Sequence, residues 1–233
     1  MYSAGRMDLQ SDNNGDLISR LKISHWRAIQ RKLAQRVLRM DCFIVPPRLV
    51  GGIDVAYRGN VAYATVVVLD YKTLGMVESA TVKSTVENPY IPSFLAFREL
   101  RPMIKSIRKL RTIPDVLLVD AQGIAHPERC GSASHLGVAL DIPTIGVAKS
   151  LLIGKVSELN KGGIGYLKDK EELIGASIVS QLGCKPIYVS IGHKVSLDSA
   201  IETVLATTKE NRIPEPLRLA HILSNLAGAK DSR

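Results

Sequence analysis

Three carboxylates stand where their side chains need a reason to be. Asp54 lies inside a strand-like run, Leu49 to Tyr57, whose two-residue period puts it on one face with Gly52 and Ala56, while Gly51, Ile53, Val55 and Tyr57 share the other. A carboxylate in mid-strand is costly unless a cation, a hydrogen-bond network or water compensates it. It is therefore either a structural Asp paired with an Arg or with backbone amides, or a cation ligand. Asp120 closes a run of four apolar residues, Val116 to Val119, and precedes Ala121-Gln122-Gly123. In parallel sheets, ligands gather outside the carboxyl ends of strands, where this side chain would point; the alternative is an Asp that caps the next turn. Glu99 lies four residues after Leu95 and four before Met103, on the flank of an apolar helix face that also holds Pro102. Alone, it reads as a surface Glu. Together, carboxylates from a first strand, a helix and a middle strand would converge at the open end of one sheet. Hard dications such as Mg²⁺ take oxygen ligands of this kind, completed by water and substrate phosphate oxygens. In a basic chain, a carboxylate-held metal points to phosphodiester chemistry, where the ion lowers the pKa of an attacking water and neutralises charge on the phosphorus oxygens.

The elements that must position these groups are legible from periodicity. Leu17, Leu21, Trp26, Ile29, Leu33 and Val37 recur at helical spacing among Arg and Lys, which predicts a basic amphipathic helix from Leu17 to Met40, ended by Pro46-Pro47. Three strand-like runs follow, Leu49 to Tyr57, Asn60 to Asp70 and Gly75 to Ser84, joined by turns short enough to require an antiparallel meander. After the loop Asn88 to Pro92 come a helix from Ser93 to about Leu110, a strand at Asp115 to Val119, a helix around Gly131 to Leu140 and a strand at Thr144 to Ala148. Further β segments are expected near Ile164 to Leu167, Leu173 to Val179 and Pro186 to Ser190, then helices from about Ser196 and Pro216. Hairpins followed by alternating helix and strand give an α/β fold: a mixed sheet, antiparallel first and parallel afterwards, with helices on its faces. With no repeat and no linker, one domain spans residues 17–227, between tails at 1–16 and 228–233.

Composition bounds the partners. The chain has 233 residues, 45% hydrophobic and 23% charged, enough for one sizeable core. No window reaches eighteen uncharged apolar residues, and the N-terminal stretch is polar, so neither a membrane span nor a secretory signal is expected. Cys42, Cys130 and Cys184 are far apart with no C-x-x-C, which suggests neither a disulfide framework nor a thiolate zinc site and favours a reducing, cytoplasmic setting. Lys and Arg number 31 against 22 Asp and Glu, a formal charge of +9 that favours a polyanion such as nucleic acid.

Five spaced blocks resemble the endonuclease V family of the ribonuclease H-like superfamily. They are Gly52-Ile53-Asp54-Val55; Pro89-Tyr90-Ile91-Pro92 with Phe97-Arg98-Glu99; Val119-Asp120-Ala121-Gln122-Gly123-Ile124-Ala125-His126-Pro127; Gly146-Val147-Ala148-Lys149-Ser150; and Tyr188-Val189-Ser190-Ile191-Gly192-His193. The resemblance implies a metal-dependent nuclease, with Mg²⁺ or a substituting Mn²⁺. It would recognise deoxyinosine in double- or single-stranded DNA and hydrolyse the second phosphodiester bond 3′ to the lesion, leaving 3′-hydroxyl and 5′-phosphate ends. By the same likeness Asp54, Glu99 and Asp120 would hold the metal, Lys149, His126 and His193 would complete the active site, and Tyr90 would be the wedge that enters the duplex. Ser93, Ala121 and Ile191 depart from the usual pattern, at positions where Gly, Gly and Pro are common, and none of them removes a proposed ligand.

The residues themselves fit this frame, each with an ordinary alternative. Tyr90 between Pro89 and Pro92 is held in a restricted loop and could fill the gap left by an extruded base, or could plug a core edge. Gly123 and the Gly131-Ser132 turn would let backbone approach a base, or serve ordinary turn chemistry. Lys149 would place an ammonium on a phosphate or leaving oxygen, where a surface Lys is the default. His193 would orient water or shuttle a proton, unless it is structural like His135. Asp198 reads as a helix-dipole partner. Outside the leading reading stand an inosine-specific endoribonuclease, a non-catalytic nucleic-acid-binding module, and a hydrolase built on Cys130 between His126 and His135. A monomer is expected.

Overall fold

The computed structural model describes residues 10–181 and 183–231, residues 10–19 by their backbone alone. The meander forms as its turns demand: β1 (Leu49–Arg58) pairs antiparallel with β2 (Val61–Asp70), and β2 with β3 (Met76–Thr85). Helix α2 (Ala96–Ile107) then carries the chain across β1, so that β4 (Val116–Val119) lies parallel to β1 on its other side. Helix α3 (Ser132–Leu140) repeats the crossover, and β5 (Thr144–Ala148) lies parallel to β4. The remaining strands β6 (Lys155–Val156), β7 (Ile164–Asp169), β8 (Glu172–Ile178) and β9 (Ile187–His193) are antiparallel. One nine-stranded sheet results, in the order β3-β2-β1-β4-β5-β9-β8-β7-β6. Parallel pairing thus holds only for β1, β4 and β5, and Asp54, Asp120 and Lys149 lie where that pairing ends, within β1 and just past β4 and β5.

Both faces of the sheet are covered. Val50, Val67, Leu118, Ile145 and Val189 pack beneath α4 (Leu197–Ala206) and α5 (Glu215–Lys230), whereas Ile53, Val66, Val68 and Val119 pack with Met103 and Ile107 of α2 and with Leu136 of α3. Burying such side chains contributes roughly 1.5–3 kcal/mol each, which is why central strands read as continuous apolar runs. The scarce aromatics are concentrated where α1 (Gln10–Ala34) meets the start of α2: Trp26 stacks on Phe97 at 4.7 Å between centroids and contacts Phe94 at 5.9 Å. This clamp anchors the loop that carries Tyr90.

Several boundaries differ from the expectation. α1 begins at Gln10, so residues 10–16 are helical rather than tail, while residues 1–9 lie outside the described residues. It ends at Ala34 instead of Met40 because the next stretch is drawn to the end of β9. Leu38 N–H donates to His193 Nδ1 at 3.2 Å, and Lys194 N–H donates to the Leu38 carbonyl at 2.8 Å. At the other terminus α5 runs on to Lys230, past the expected limit of residue 227, because the buried Gly228 lies against Tyr63 and the Asp231 carboxylate receives the Tyr63 hydroxyl and pairs with Lys83. Residues 232–233 lie outside the described residues. The two-residue strand β6 carried no readable period.

Candidate active site

Asp54 is buried, and its environment is made by α5. On the same face, a Cβ at Gly52 would sit 2.2 Å from the Pro216 carbonyl carbon, so only glycine admits the start of that helix. The helix then brings Ser224 Oγ to donate to Asp54 Oδ2 at 2.8 Å, with His221 Nδ1 3.1 Å from the same oxygen. Glu99, in the first turn of α2, is buried too rather than on the surface, and Tyr57 donates its hydroxyl to Glu99 Oε1 at 2.9 Å. Asp120 follows β4 and receives the Lys149 ammonium, with Nζ 2.5 Å from Oδ2.

Electrostatics ties the three acids together. Burial pushes the Glu99 carboxyl up to about 8; the Tyr57 hydrogen bond opposes this, the charges of Asp54 and Asp120 add to it, and Arg98 again opposes it. Asp120 is raised as well, first by burial, which outweighs Lys149, and then by Asp54, close enough to share a hydrogen bond. The hydrogen bonds described engage one named oxygen of each carboxyl group. Among the described residues no three His, Cys, Asp or Glu side chains are already drawn together as a metal cage. Their chemistry nevertheless suits a hard dication: three carboxylates from distant elements, two of which raise the third by their charge.

Beside the acids lies a cleft of about 220 Å³, lined among others by Tyr90, His126, Gly131, Ser132, Asp120 and Lys149. Tyr90 is 65% exposed, so it plugs no core edge. Its loop is fixed at Ser93, whose φ of 69° lies in the left-handed region. The Ser93 carbonyl accepts from Gln30 Nε2 and from the His126 ring, each at 2.8 Å. His126 Nδ1 accepts from Glu128 N–H, which leaves the proton on Nε2, and burial holds the ring below its ordinary pKa, so it is neutral. His126 thus braces the loop. Pro92 sits exposed on the outer side of this turn and does not line the cleft.

Two further expected site residues are elsewhere. His193 is buried at the opposite end of β5: it pairs with Thr144, the first residue of that strand, about 16 Å along the chain from Lys149 at roughly 3.3 Å per residue. Its ring receives Leu38 N–H and faces Asp141 at 3.5 Å, so it fastens the chain after α1 instead of serving the acids. Gly123 does not line the cleft either, because a Cβ there would sit 2.0 Å from the Ile191 carbonyl oxygen. Its N–H donates to Ser190 Oγ and its carbonyl accepts from Gly131 N–H, leaving nothing to read a base. Cys130 is buried and its thiol is pushed up to about 12, which removes the thiol hydrolase. His135 is structural, edge-on to Phe97, though its Nδ1 lacks a partner and burial lowers it to about 4.

Sequence reasoning missed His221, Ser224, Tyr57 and Gln30. The signal for Ser224 was present: it lies seven residues after Leu217 and four after Ala220, a polar group on the buried stripe of α5. His221 offered none, being one of several polar residues on that helix.

Comparison with known proteins gives a consistent family. The family model described as Endonuclease V matches residues 31–222. "Endonuclease V" of Trichormus variabilis is 46% identical over 201 residues, covering 84% of this chain and 91% of that protein. The crystal structure of Endonuclease V from Streptomyces avermitilis superposes with a TM-score of 0.84 at 38% identity, covering 90% of this chain and 94% of that one. Ciona intestinalis Endonuclease V, in complex with a 24mer DNA containing an inosine followed by a ribo-adenosine, gives 0.80 at 32% identity over 90% and 98% of the two chains.

Proposed function

This chain belongs to the endonuclease V family and is a nuclease, and from that premise we propose that it cleaves inosine-containing DNA with a divalent metal, Mg²⁺ or a substituting Mn²⁺. The bond cut is the second phosphodiester 3′ to the deaminated base, giving 3′-hydroxyl and 5′-phosphate ends. The observation that carries this reading is the trio of the buried Asp54 and Glu99 and the half-buried Asp120, drawn from β1, α2 and the end of β4, in which the charges of Asp54 and Asp120 raise Glu99, beside a cleft of about 220 Å³. The inosine-containing DNA held by the Ciona protein supports the substrate.

Asp54, Glu99 and Asp120 would hold the ion, which when bound supplies an activated water and charge neutralisation for the transferring phosphorus. Tyr57 and Ser224 each donate to one carboxylate oxygen and so orient the ligands, the supporting role by which neighbouring hydrogen bonds tune a metal site. Lys149 holds Asp120 and can turn its ammonium to a non-bridging phosphate oxygen, where a fixed cation stabilises the charge that develops. His221, with a side chain 57% exposed over Asp54, can hold or pass the proton of an attacking water. Tyr90 projects from its braced loop and would fill the stack where the base has left, worth about 1–3 kcal/mol. Ser132 and Gly131, at the start of α3, line the cleft and would face the extruded base.

A duplex with a single inosine, incubated with and without Mg²⁺ and mapped at nucleotide resolution, should show one metal-dependent nick at the second 3′ bond; no nick would overturn the reading. Inosine RNA is a second reading, favoured by the ribo-adenosine beside inosine in the Ciona complex. A matched RNA strand cleaved faster than the DNA would make it the first.

A further inference from the structure

At the far edge of the sheet two lysines face each other. Lys155 of β6 is the register partner of Lys168 of β7, both are exposed, and neither side chain has an ion-pair or hydrogen-bond partner among the described residues. Like charges directly opposite across strands are destabilising, so the fold gains nothing from this pair. Tyr166, two residues before Lys168 on the same exposed face, is 43% exposed and lines a shared groove with both lysines and with Lys170. The carboxylate that lines the groove, Asp169, is committed to Arg129, its Oδ2 2.7 Å from Nη2. Positive charge is therefore left uncompensated beside an exposed aromatic face.

The position matters as much as the charge. Lys149 directly follows β5, and the chain from it reaches Lys155 in six residues, a span of at most about 20 Å at 3.3–3.6 Å per residue. Leu152 of that segment lines the active cleft and Gly154 lines the edge groove, so the two are joined by one short stretch of backbone. Phosphates with stackable bases between them suit alternating lysine and tyrosine, the pattern by which proteins track single strands.

We propose that the β6–β7 edge is a track for an unpaired strand of nucleic acid leaving the active cleft, with Lys155 and Lys168 on its phosphates and Tyr166 under a base. This rests on the nuclease reading for its direction, but its test does not. The probe is fluorescence anisotropy of undamaged thymidine homopolymers of about 6 and about 20 nucleotides, without metal, across a range of salt. For the long strand, Lys155→Ala with Lys168→Ala should weaken binding about tenfold and reduce the slope of log affinity against log salt by about 1.4, since each single-strand phosphate contact contributes about 0.7. Tyr166→Ala should weaken it at least about fivefold and Tyr166→Phe should restore it, while the short strand should feel these changes far less. Wild-type affinity and slope in the double variant would overturn the proposal, as would equal losses on both lengths, or a preference of the wild-type groove for poly-glutamate. A protein that binds in this way but nicks no inosine substrate would sink the nuclease reading and leave the track standing.

Discussion

Two clusters of acids, one from a single hairpin turn and one gathered from distant parts of the chain, are treated in opposite ways. Asp169 and Glu172, on the β7–β8 turn, close on Arg129: its Nη2 lies 2.7 Å from Asp169 and its Nε 2.7 Å from Glu172, which Arg39 also meets at 2.7 Å. Burial alone would raise Glu172, yet hydrogen bonds from Arg129 and Arg39 outweigh it and hold the carboxyl below its ordinary range. In the other cluster the acids are more deeply buried, the one lysine pairs with Asp120 alone, and there Glu99 and Asp120 are raised instead. Guanidinium ion pairs close the first cluster, whereas in the second Arg98 reaches Glu99 only through its charge and does not offset burial, which leaves that cluster to a ligand. Unbalanced charge of this kind is a mark of function, because it costs stability that nothing in the folded chain returns.

The sharpest way to break that contrast is to remove an acid from each cluster. Asp120→Ala should lower the nicking rate of an inosine duplex by at least about a thousandfold, the scale of several kcal/mol of charge stabilisation, while most DNA binding survives. Glu172→Gln should leave nicking within about twofold and cost at most about 1 kcal/mol of stability, as expected for a half-exposed ion pair. Nicking that survives Asp120→Ala would show that the two clusters do not differ in role.

Two histidines test the same division of the sheet into ends. His221 lies over Asp54, whereas His193 is buried against Leu38. His221→Ala should reduce the nicking rate about 10–100-fold with little change in thermal stability, the usual range for a group that orients a metal ligand. His193→Ala should do the reverse, costing about 1–3 kcal/mol through the unpaired Leu38 amide while the remaining folded enzyme cuts normally. Unfolding midpoints and single-turnover rates of the two variants decide the matter.

How much of this was legible beforehand follows from what each signal measures. The two-residue period fixed Asp54 inside β1, and the apolar run fixed Asp120 at the end of β4, because burial of strand faces is a local pattern. Glu99, whose spacing alone matched a surface position, entered only in company with the other two acids, and the resemblance then gave it a ligand's role. His193 was misplaced because β9 runs antiparallel to β5, so its last residue lands at the foot of the sheet, and strand direction is not written in β9 itself. Gly123 was misread for a related reason: a glycine marks close approach, but only the fold says that what approaches is the β9 backbone. His221 came from the far end of the chain on a helix whose docking depends on Gly52, and no local pattern links the two.

pH should separate the clusters more gently. With its carboxyl pushed up to about 8, Glu99 must lose a proton before it can ligate a cation. Apparent Mg²⁺ affinity should therefore rise by up to tenfold per pH unit toward about 8 and then level off. The metal-free fold shows the opposite trend: because the folded state holds that proton more tightly than the unfolded chain, whose Glu titrates near 4.5, its stability declines as pH rises from about 4.5 to about 8. Added Mg²⁺ should offset the loss in the upper part of that window. A metal-free melting curve flat between pH 5 and 8 would mean that Glu99 is already compensated as Glu172 is.

The smallest effect concerns the loop rather than the acids. Ser93 occupies the left-handed region at φ 69°, which costs a residue with a side chain about 1–2 kcal/mol relative to glycine. Glycine would relieve that strain, and its greater freedom in the unfolded chain would take back roughly 0.5–1 kcal/mol, so Ser93→Gly should stabilise the protein by about 0.5–1 kcal/mol. Because Gln30 and His126 hold the backbone carbonyl of residue 93 and not its side chain, the loop should keep its shape and Tyr90 its aim. Discrimination between inosine and adenosine duplexes should then be unchanged in the glycine variant. A fall in discrimination with stability intact would show instead that the serine side chain, and not the braced carbonyl, sets the position of the aromatic wedge.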